Sequence, residues 1–289
     1  MTASKQLPPI LASPLATCKP AAYFTIDDRG TTVAGRRADL IAFSDLRAPR
    51  PHLVIRGGKV VARDGELVDE RGTTAPRHLR STVNIDWRRI DFSIPAEGRH
   101  ARVIGIVPDQ LVTEHLVEEI PIVDGEARAD PDRDLLKMVV IERHMNSGST
   151  GKGFVRGMGL ARGALASTVA HDHHNLAVIG ADDVSMRTAA RRAAALGGGM
   201  VVAEGEAVLA EVPLPLAGLM SDRPIEEVRT QLDRTIELAR ELGSELHDPF
   251  MAMSFLALEV IPSLKLTDHG LVDVDRFEVV PLWVDGTAL

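Results

Sequence analysis

The densest group of side chains able to do chemistry is the run Ala170-His171-Asp172-His173-His174-Asn175. On an extended backbone His171 and His173 would point to one face and Asp172 and His174 to the other, because side chains alternate along a strand. Two imidazoles at that spacing converge on one side and can chelate a single transition metal. A closed site needs further ligands, and none is adjacent in the sequence. Glu142 and His144, in Glu142-Arg143-His144, are the nearest partners that the fold could bring in. The other reading of the run is a loop. There Asp172 and Asn175 would cap turns, and hydrogen bonds would hold the histidines.

Other stretches carry weaker signals. Gly148-Ser149-Thr150-Gly151-Lys152-Gly153 has the glycines of a phosphate-binding loop. Its spacing fails that pattern, and Lys152 is followed by Gly153 rather than by Ser or Thr. A glycine turn lying close to a neighbouring backbone is the better reading. Pro213 to Met220 and Pro249 to Leu258 are apolar, and read as core or subunit interface. Cys18, the single cysteine, has no activating neighbour and excludes an internal disulfide.

These residues need a frame to hold them. The chain has 289 residues, enough for one large or two modest cores. Aromatics make up only 3%, so Ala, Val, Leu and Ile must build the interior. The net charge of -8, with basic residues dispersed, argues against a nucleic-acid or anionic-membrane partner. The first twenty residues contain no apolar run of membrane-spanning length, which points to the cytoplasm.

Along the chain, Ile10 to Phe24 reads as a short helix interrupted at Pro14. Ala38 to Phe43 reads as a strand, and His52 to Ala62 as two strands around Gly57-Gly58. The polar stretch Asp69 to Ser81 is the natural linker. Beyond it Asp91–Ile94, Ala101–Val107, Lys137–Ile141, Ala164–Ala170, Leu176–Gly180 and Met200–Ala203 have strand character. Asp182 and Asp183 can cap a helix that Gly197 ends. A second helix begins near Ser221 or Asp222, with Pro224 in its first turn and an apolar stripe through Ile225, Val228, Leu232, Ile236 and Ala239. Strands and helices mix without a βαβ repeat, which predicts an α+β (mixed α/β) fold.

Several motifs resemble the adenine deaminases of the amidohydrolase superfamily. Glu142-Arg143-His144, Gly153-Phe154-Val155-Arg156-Gly157, the run Ala164 to Asn175, Leu214 to Ser221, Pro249-Phe250-Met251 and Leu264 to Asp273 stand in the order found in the C-terminal domain of that family. Pro20 to Phe24, Gly35 to Leu40 and Val54 to Val61 resemble the stretch that leaves the catalytic barrel and returns to its small β-sandwich. The resemblance implies that residues 1–82 hold an end-of-barrel helix and part of the sandwich, and that residues 83–289 are the C-terminal domain. It also implies hydrolysis of adenine to hypoxanthine and ammonia, in purine salvage, with manganese or iron in the complete enzyme. The family's metal ligands lie on barrel strands for which this sequence has no counterpart. The chain is thus expected to be a truncated or split form, inactive alone and binding no metal strongly by itself. A separate barrel chain and a second copy of this chain are its expected partners. At His173 the family usually has a small residue, so His171, Asp172, His174 and Asn175 are the matching candidates for a catalytic role. Glu142 and His144 are candidates for the substrate pocket, and His171 with His173 for a metal. A non-catalytic purine- or metal-binding module, or an inactive gene fragment, is the alternative expectation.

Overall fold

The structure, a computed structural model, describes residues 8–68 and 81–284. The chain divides into two compact units, Met1–Ala75 and Pro76–Leu289. Most of the linker read between Asp69 and Ser81 lies outside the described residues.

The first unit begins with α1 (Pro9–Ala12), a 3-10 turn over Ser13–Ala16 and α2 (Cys18–Tyr23). Pro14 can open the 3-10 turn but cannot continue a helix, so the interruption falls where the sequence places it. Four strands follow: β1 (Leu40–Ala42), β2 (Leu53–Arg56), β3 (Lys59–Arg63) and β4 (Glu66–Leu67). They form an antiparallel meander in that order. Gly57 and Gly58 turn β2 into β3 with φ of 56° and 80°, the two left-handed residues of a tight hairpin. The unit has little interior. Of the described residues 8–68, Ala21 alone is buried.

The second unit is built on an eight-stranded sheet. Its strands are β5 (His100–Ile106), β6 (Thr113–Glu119), β9 (Leu135–Ile141), β10 (Thr150–Arg156), β11 (Ala164–Ser167), β12 (Leu176–Gly180), β13 (Gly199–Glu204) and β14 (Ala207–Pro213). A small hairpin, β7 (Ile122–Val123) with β8 (Glu126–Ala127), lies between β6 and β9 in the chain. The sheet order is β14-β13-β11-β12-β9-β10-β5-β6, and only β10–β5 is parallel among these pairs. Both faces are covered. The helix α3 (Asp183–Ala195) lies on one. On the other are α4 (Ile225–Glu241), α5 (Pro249–Phe255) and the hairpin β15 (Leu264–Thr267) with β16 (Gly270–Asp273), to which β17 (Glu278–Val280) adds.

Strand β9 shows how the core divides. Leu136, Met138 and Val140 join the α4/α5 side, whereas Val139 and Ile141 join the α3 side. That is the alternation of a strand buried on both faces, which is why its sequence reads as a continuous apolar run. Lys137 interrupts the run. Its ammonium is buried, and it donates to Asp183 (2.8 Å) and to the Phe92 carbonyl (3.2 Å). Helix α3 packs through Met186, Ala189, Ala190 and Ala193, and the Asp182 carboxylate caps it by accepting from the Ser185 amide at 2.8 Å.

Three local expectations change. Asp91–Ile94 is not a strand, because the Asp91 carboxylate takes the Ser93 amide at 3.0 Å and bends the chain. Phe92 and Ile94 are nonetheless buried. The glycine-rich stretch is not one turn, since β10 begins at Thr150 and takes in the rest of it. A Cβ on Gly151 would lie 1.8 Å from the Thr267 carbonyl oxygen, so glycine is needed there for close backbone approach. The long helix starts at Ile225, after Pro224 in its cap position, rather than at Ser221.

Candidate functional site at the histidine loop

The loop between β11 and β12 carries the histidine run, and it is not extended. The His174 amide donates back to the Ala170 carbonyl at 2.6 Å, and His174 itself has φ of +51°. The His171 amide donates to the Ser254 carbonyl of α5 at 3.2 Å. The run is a turn, so the alternation needed for a two-histidine chelate is absent.

His173 is spent on holding this turn. Its Nδ1 accepts the Asn175 amide at 3.0 Å, and its Nε2 donates to the Ala257 carbonyl at 3.0 Å. Burial lowers the pKa of the ring, outweighing the charges of Glu259 and Asp268 and the bond to Ala257 that would raise it. A neutral imidazole with both nitrogens engaged has no lone pair for a metal. The expected His171/His173 chelate is therefore not formed in this arrangement. Among the described residues, no group of three or more His, Cys, Asp or Glu side chains is placed to hold a metal ion. Manganese or iron does not fit these residues.

Asn175 is buried and links three segments. Its Nδ2 donates to Asp268 at 3.0 Å, and its Oδ1 accepts the Arg143 amide at 3.4 Å. The Asp268 carbonyl in turn accepts the Ser149 hydroxyl at 2.9 Å. The fold thus brings the 142–149 loop and the 268 turn to the histidine loop, although more than ninety residues separate Asn175 from Asp268 in the chain.

Glu142 and His144 also reach this place. His144 Nε2 donates to the His173 carbonyl at 2.9 Å. The Glu142 carboxylate collects the amides of His144, Met145 (2.7 Å) and Ser147 (2.9 Å), and the Ser147 hydroxyl (2.8 Å). Burial would raise its pKa, but these hydrogen bonds together outweigh burial and lower it. Glu142 is an ionised spool around which its loop winds.

What remains open is a face made by His171, Asp172 and His174. The His171 ring packs on Phe255, with centroids 4.7 Å apart, and stands 6.1 Å from the His174 ring. Asp172 is exposed. The Nδ1 atom of His174 is buried with no hydrogen-bond partner. Burial lowers the pKa of that ring, and the neighbouring His171 and Arg143 charges lower it further. Asp172 and the His171 ring can form hydrogen bonds with whatever covers them.

Arg143, which the sequence reading quoted only as part of a motif, organises the loop. It is 1% exposed, and no carboxylate is among its hydrogen-bond partners. Its guanidinium donates to the carbonyls of His174 (2.5 Å), Thr82 (2.7 Å) and Ala217 (3.0 Å), and to the Thr82 hydroxyl (3.0 Å). The planar fork suits several acceptors at once. Gly218, beside Ala217, leaves room for it, since a Cβ there would meet the guanidinium at 2.8 Å. The available signal was a charged residue two positions beyond the apolar run of β9.

Residues 110–278 match the model of the adenine deaminase C-terminal domain. An adenine deaminase of Desulfatibacillum aliphaticivorans is 46% identical over 275 residues, 95% of this chain and 48% of that protein. One from Cereibacter sphaeroides is 47% identical over 274 residues, with 95% and 48% covered. A protein named adenine deaminase 2 from Carboxydothermus hydrogenoformans is 43% identical over 285 residues, with 98% and 50% covered. The chain spans about half the length of the curated relatives it matches.

Proposed function

The chain belongs to the adenine deaminase family, and from that premise we propose that residues 1–289 are the non-catalytic C-terminal part of an adenine deaminase. In this reading polypeptide outside these residues supplies the barrel with its manganese or iron, and the assembled enzyme converts adenine and water to hypoxanthine and ammonia in purine salvage in the cytoplasm. No helix among the described residues is long and apolar enough to cross a membrane. The net charge of -8 weighs against nucleic acid as a partner.

The observation that carries this reading is the first unit. With Ala21 alone buried among residues 8–68, it exposes Ile10, Leu11, Leu15, Tyr23, Phe24 and Ile41. A cleft of about 1540 Å³ runs along its helices, lined by residues such as Ala12, Ile26, Leu40 and Leu46. A surface of this kind is built to be covered, and the absent half of the enzyme is the proposed cover. The resemblance to the end of the barrel and the edge of the sandwich supports the same assignment. Pairing with a second copy is the further association proposed for the assembled protein.

The open face of His171, Asp172 and His174, with Asn175 behind it, is proposed to close over the purine pocket of the barrel. There Asp172 and the rings could bind polar edges of the base, while Glu142 and His144 shape the loop beside it. The chain's own part is to orient the base and to exclude water; a metal held by the barrel would supply the acidified water.

Ammonia release from adenine tests the proposal, measured for the purified chain with and without Mn²⁺ or Fe²⁺, and again after co-expression with the N-terminal half of the Desulfatibacillum aliphaticivorans relative. The chain alone is expected to be inactive and the mixed complex active. Turnover by the chain alone, abolished by a chelator, would overturn the reading. Asp172→Ala in the active complex is expected to raise KM for adenine, and unchanged kinetics would remove Asp172 from the pocket.

A further inference from the structure

The methionines of the second unit are unevenly placed. Met138, Met158, Met186 and Met253 are buried, and Met200 is half-buried. Among the described residues three methionines are exposed: Met145 by 82%, Met220 by 60% and Met251 by 48%. Each stands on a segment that is hydrogen-bonded to the histidine loop. Met145 follows His144, whose ring donates to the His173 carbonyl. Met220 closes a turn by accepting the Leu216 amide at 3.0 Å, and Arg143 joins that turn to the loop through the carbonyls of Ala217 and His174. Met251 lies on α5, where its carbonyl accepts the Ser254 hydroxyl at 2.7 Å. The Ser254 carbonyl in turn accepts the His171 amide.

These positions are fixed before anything covers them. The Glu142 carboxylate accepts the Met145 amide, Arg143 holds the turn before Met220, and Asp248 caps α5 by accepting the Met251 amide at 2.9 Å. The backbones are held while the side chains stay in water. Thioethers on flexible stems adapt to an opposing surface, and methionine is enriched at protein interfaces. A polar centre of His171, Asp172 and His174 with apolar groups around it suits a face that binds polar edges and keeps water out. From this placement we propose that Met145, Met220 and Met251 form a collar that docks on the catalytic half of the enzyme and seals the histidine face over its pocket. The length of the relatives sets the occupant, since about half of each lies outside its match to this chain. The collar rests on the adenine deaminase reading for its partner and adds the contact surface.

Hydrogen peroxide footprinting, read as methionine sulfoxide by peptide mass spectrometry, tests the collar. Two proteins are compared: this chain alone, and a chimera in which the N-terminal half of the Desulfatibacillum aliphaticivorans relative precedes residues 1–289. Met145, Met220 and Met251 are expected to oxidise at least about tenfold more slowly in the chimera, while Met138 and Met186 stay unreactive in both. In the chimera, Met145→Glu with Met220→Glu is expected to return Met251 to the reactivity it has in the chain alone, whereas Leu at both positions keeps it protected. Equal reactivity in the two proteins overturns the proposal, whether or not the chimera releases ammonia from adenine. Protection without ammonia release keeps the docking surface and removes the activity. Protection that grows in the chain alone as its concentration rises assigns the face to a second copy and overturns the proposal. The co-expressed complex of the two halves gives the same readout where the chimera does not fold.

Discussion

The two units are made from similar residues and differ in what those residues reach. In the first, β2 and β3 carry Leu53, Val54, Ile55, Val60 and Val61, yet none of these is buried. In the second, every residue of β9 is buried, including a lysine. A strand gains stability from the layers on its faces, not from its own apolar content. The second unit supplies layers on both faces from its own helices and hairpin, and the first does not. If the proposed association is right, the stability of that unit depends on what covers it.

Hydrogen exchange on the intact chain gives the strongest test of this contrast. Amides of β2 and β3 are expected to exchange at least about a thousandfold faster than those of β9 and β12, because local opening is governed by buried contacts. Equal protection in the isolated chain would mean that the first unit is already covered, by a second copy or by its own neighbour.

Core truncation sharpens the same difference. Leu136→Ala in β9 is expected to cost about 4 kcal/mol in urea unfolding, whereas Leu53→Ala in β2 should cost less than about 1 kcal/mol. Similar losses at both sites would refute the contrast. With the catalytic half bound, the Leu53 substitution should become costlier through weaker association.

Lys265 gives a pH-dependent probe confined to the second unit. Burial pushes its pKa down from 10.5 to about 8. Between those values the unfolded chain holds a proton that the folded chain has released, so stability rises with pH through this window. The rise should be at most about 3 kcal/mol, and Lys265→Met should remove it. An unchanged pH profile in that variant would show that the ammonium is not disfavoured by its surroundings.

Arg143→Met should cost about 2 kcal/mol, since it keeps the packing but leaves the carbonyls of Thr82, His174 and Ala217 without their donor. The ring signals of His171 and His174 should shift in that variant, while those of His115, which pairs with Asp273 at 3.5 Å, should not. If all three move together, the arginine supports the whole unit rather than the loop.

Much of the fold was legible in the sequence. The all-apolar run of β9, the Asp182 cap of α3, the Gly57-Gly58 hairpin and the stripe of α4 each signal a local structure with its own physical cause. Strand β6, at one sheet edge, carries a mixed polar pattern, and β14, at the other edge, is apolar apart from Glu211; neither left a clear trace. The short hairpin strands β15 to β17 likewise offered only weak periodicity.

The site divides in the same way. The residue types were visible, and so was the motif order that resembles the family. The roles were not visible. His173 could be read as a ligand until the turn put the Asn175 amide on one nitrogen and the Ala257 carbonyl on the other. Glu142 could be read as a pocket acid until its own loop consumed its oxygens. Arg143 and Asp268 became part of the site only when strands far apart in the chain were paired. Sequence determines which groups exist and which backbone shapes they favour, because those depend on near neighbours. Which lone pairs and protons remain free depends on partners brought from across the chain, and the tertiary structure alone decides that.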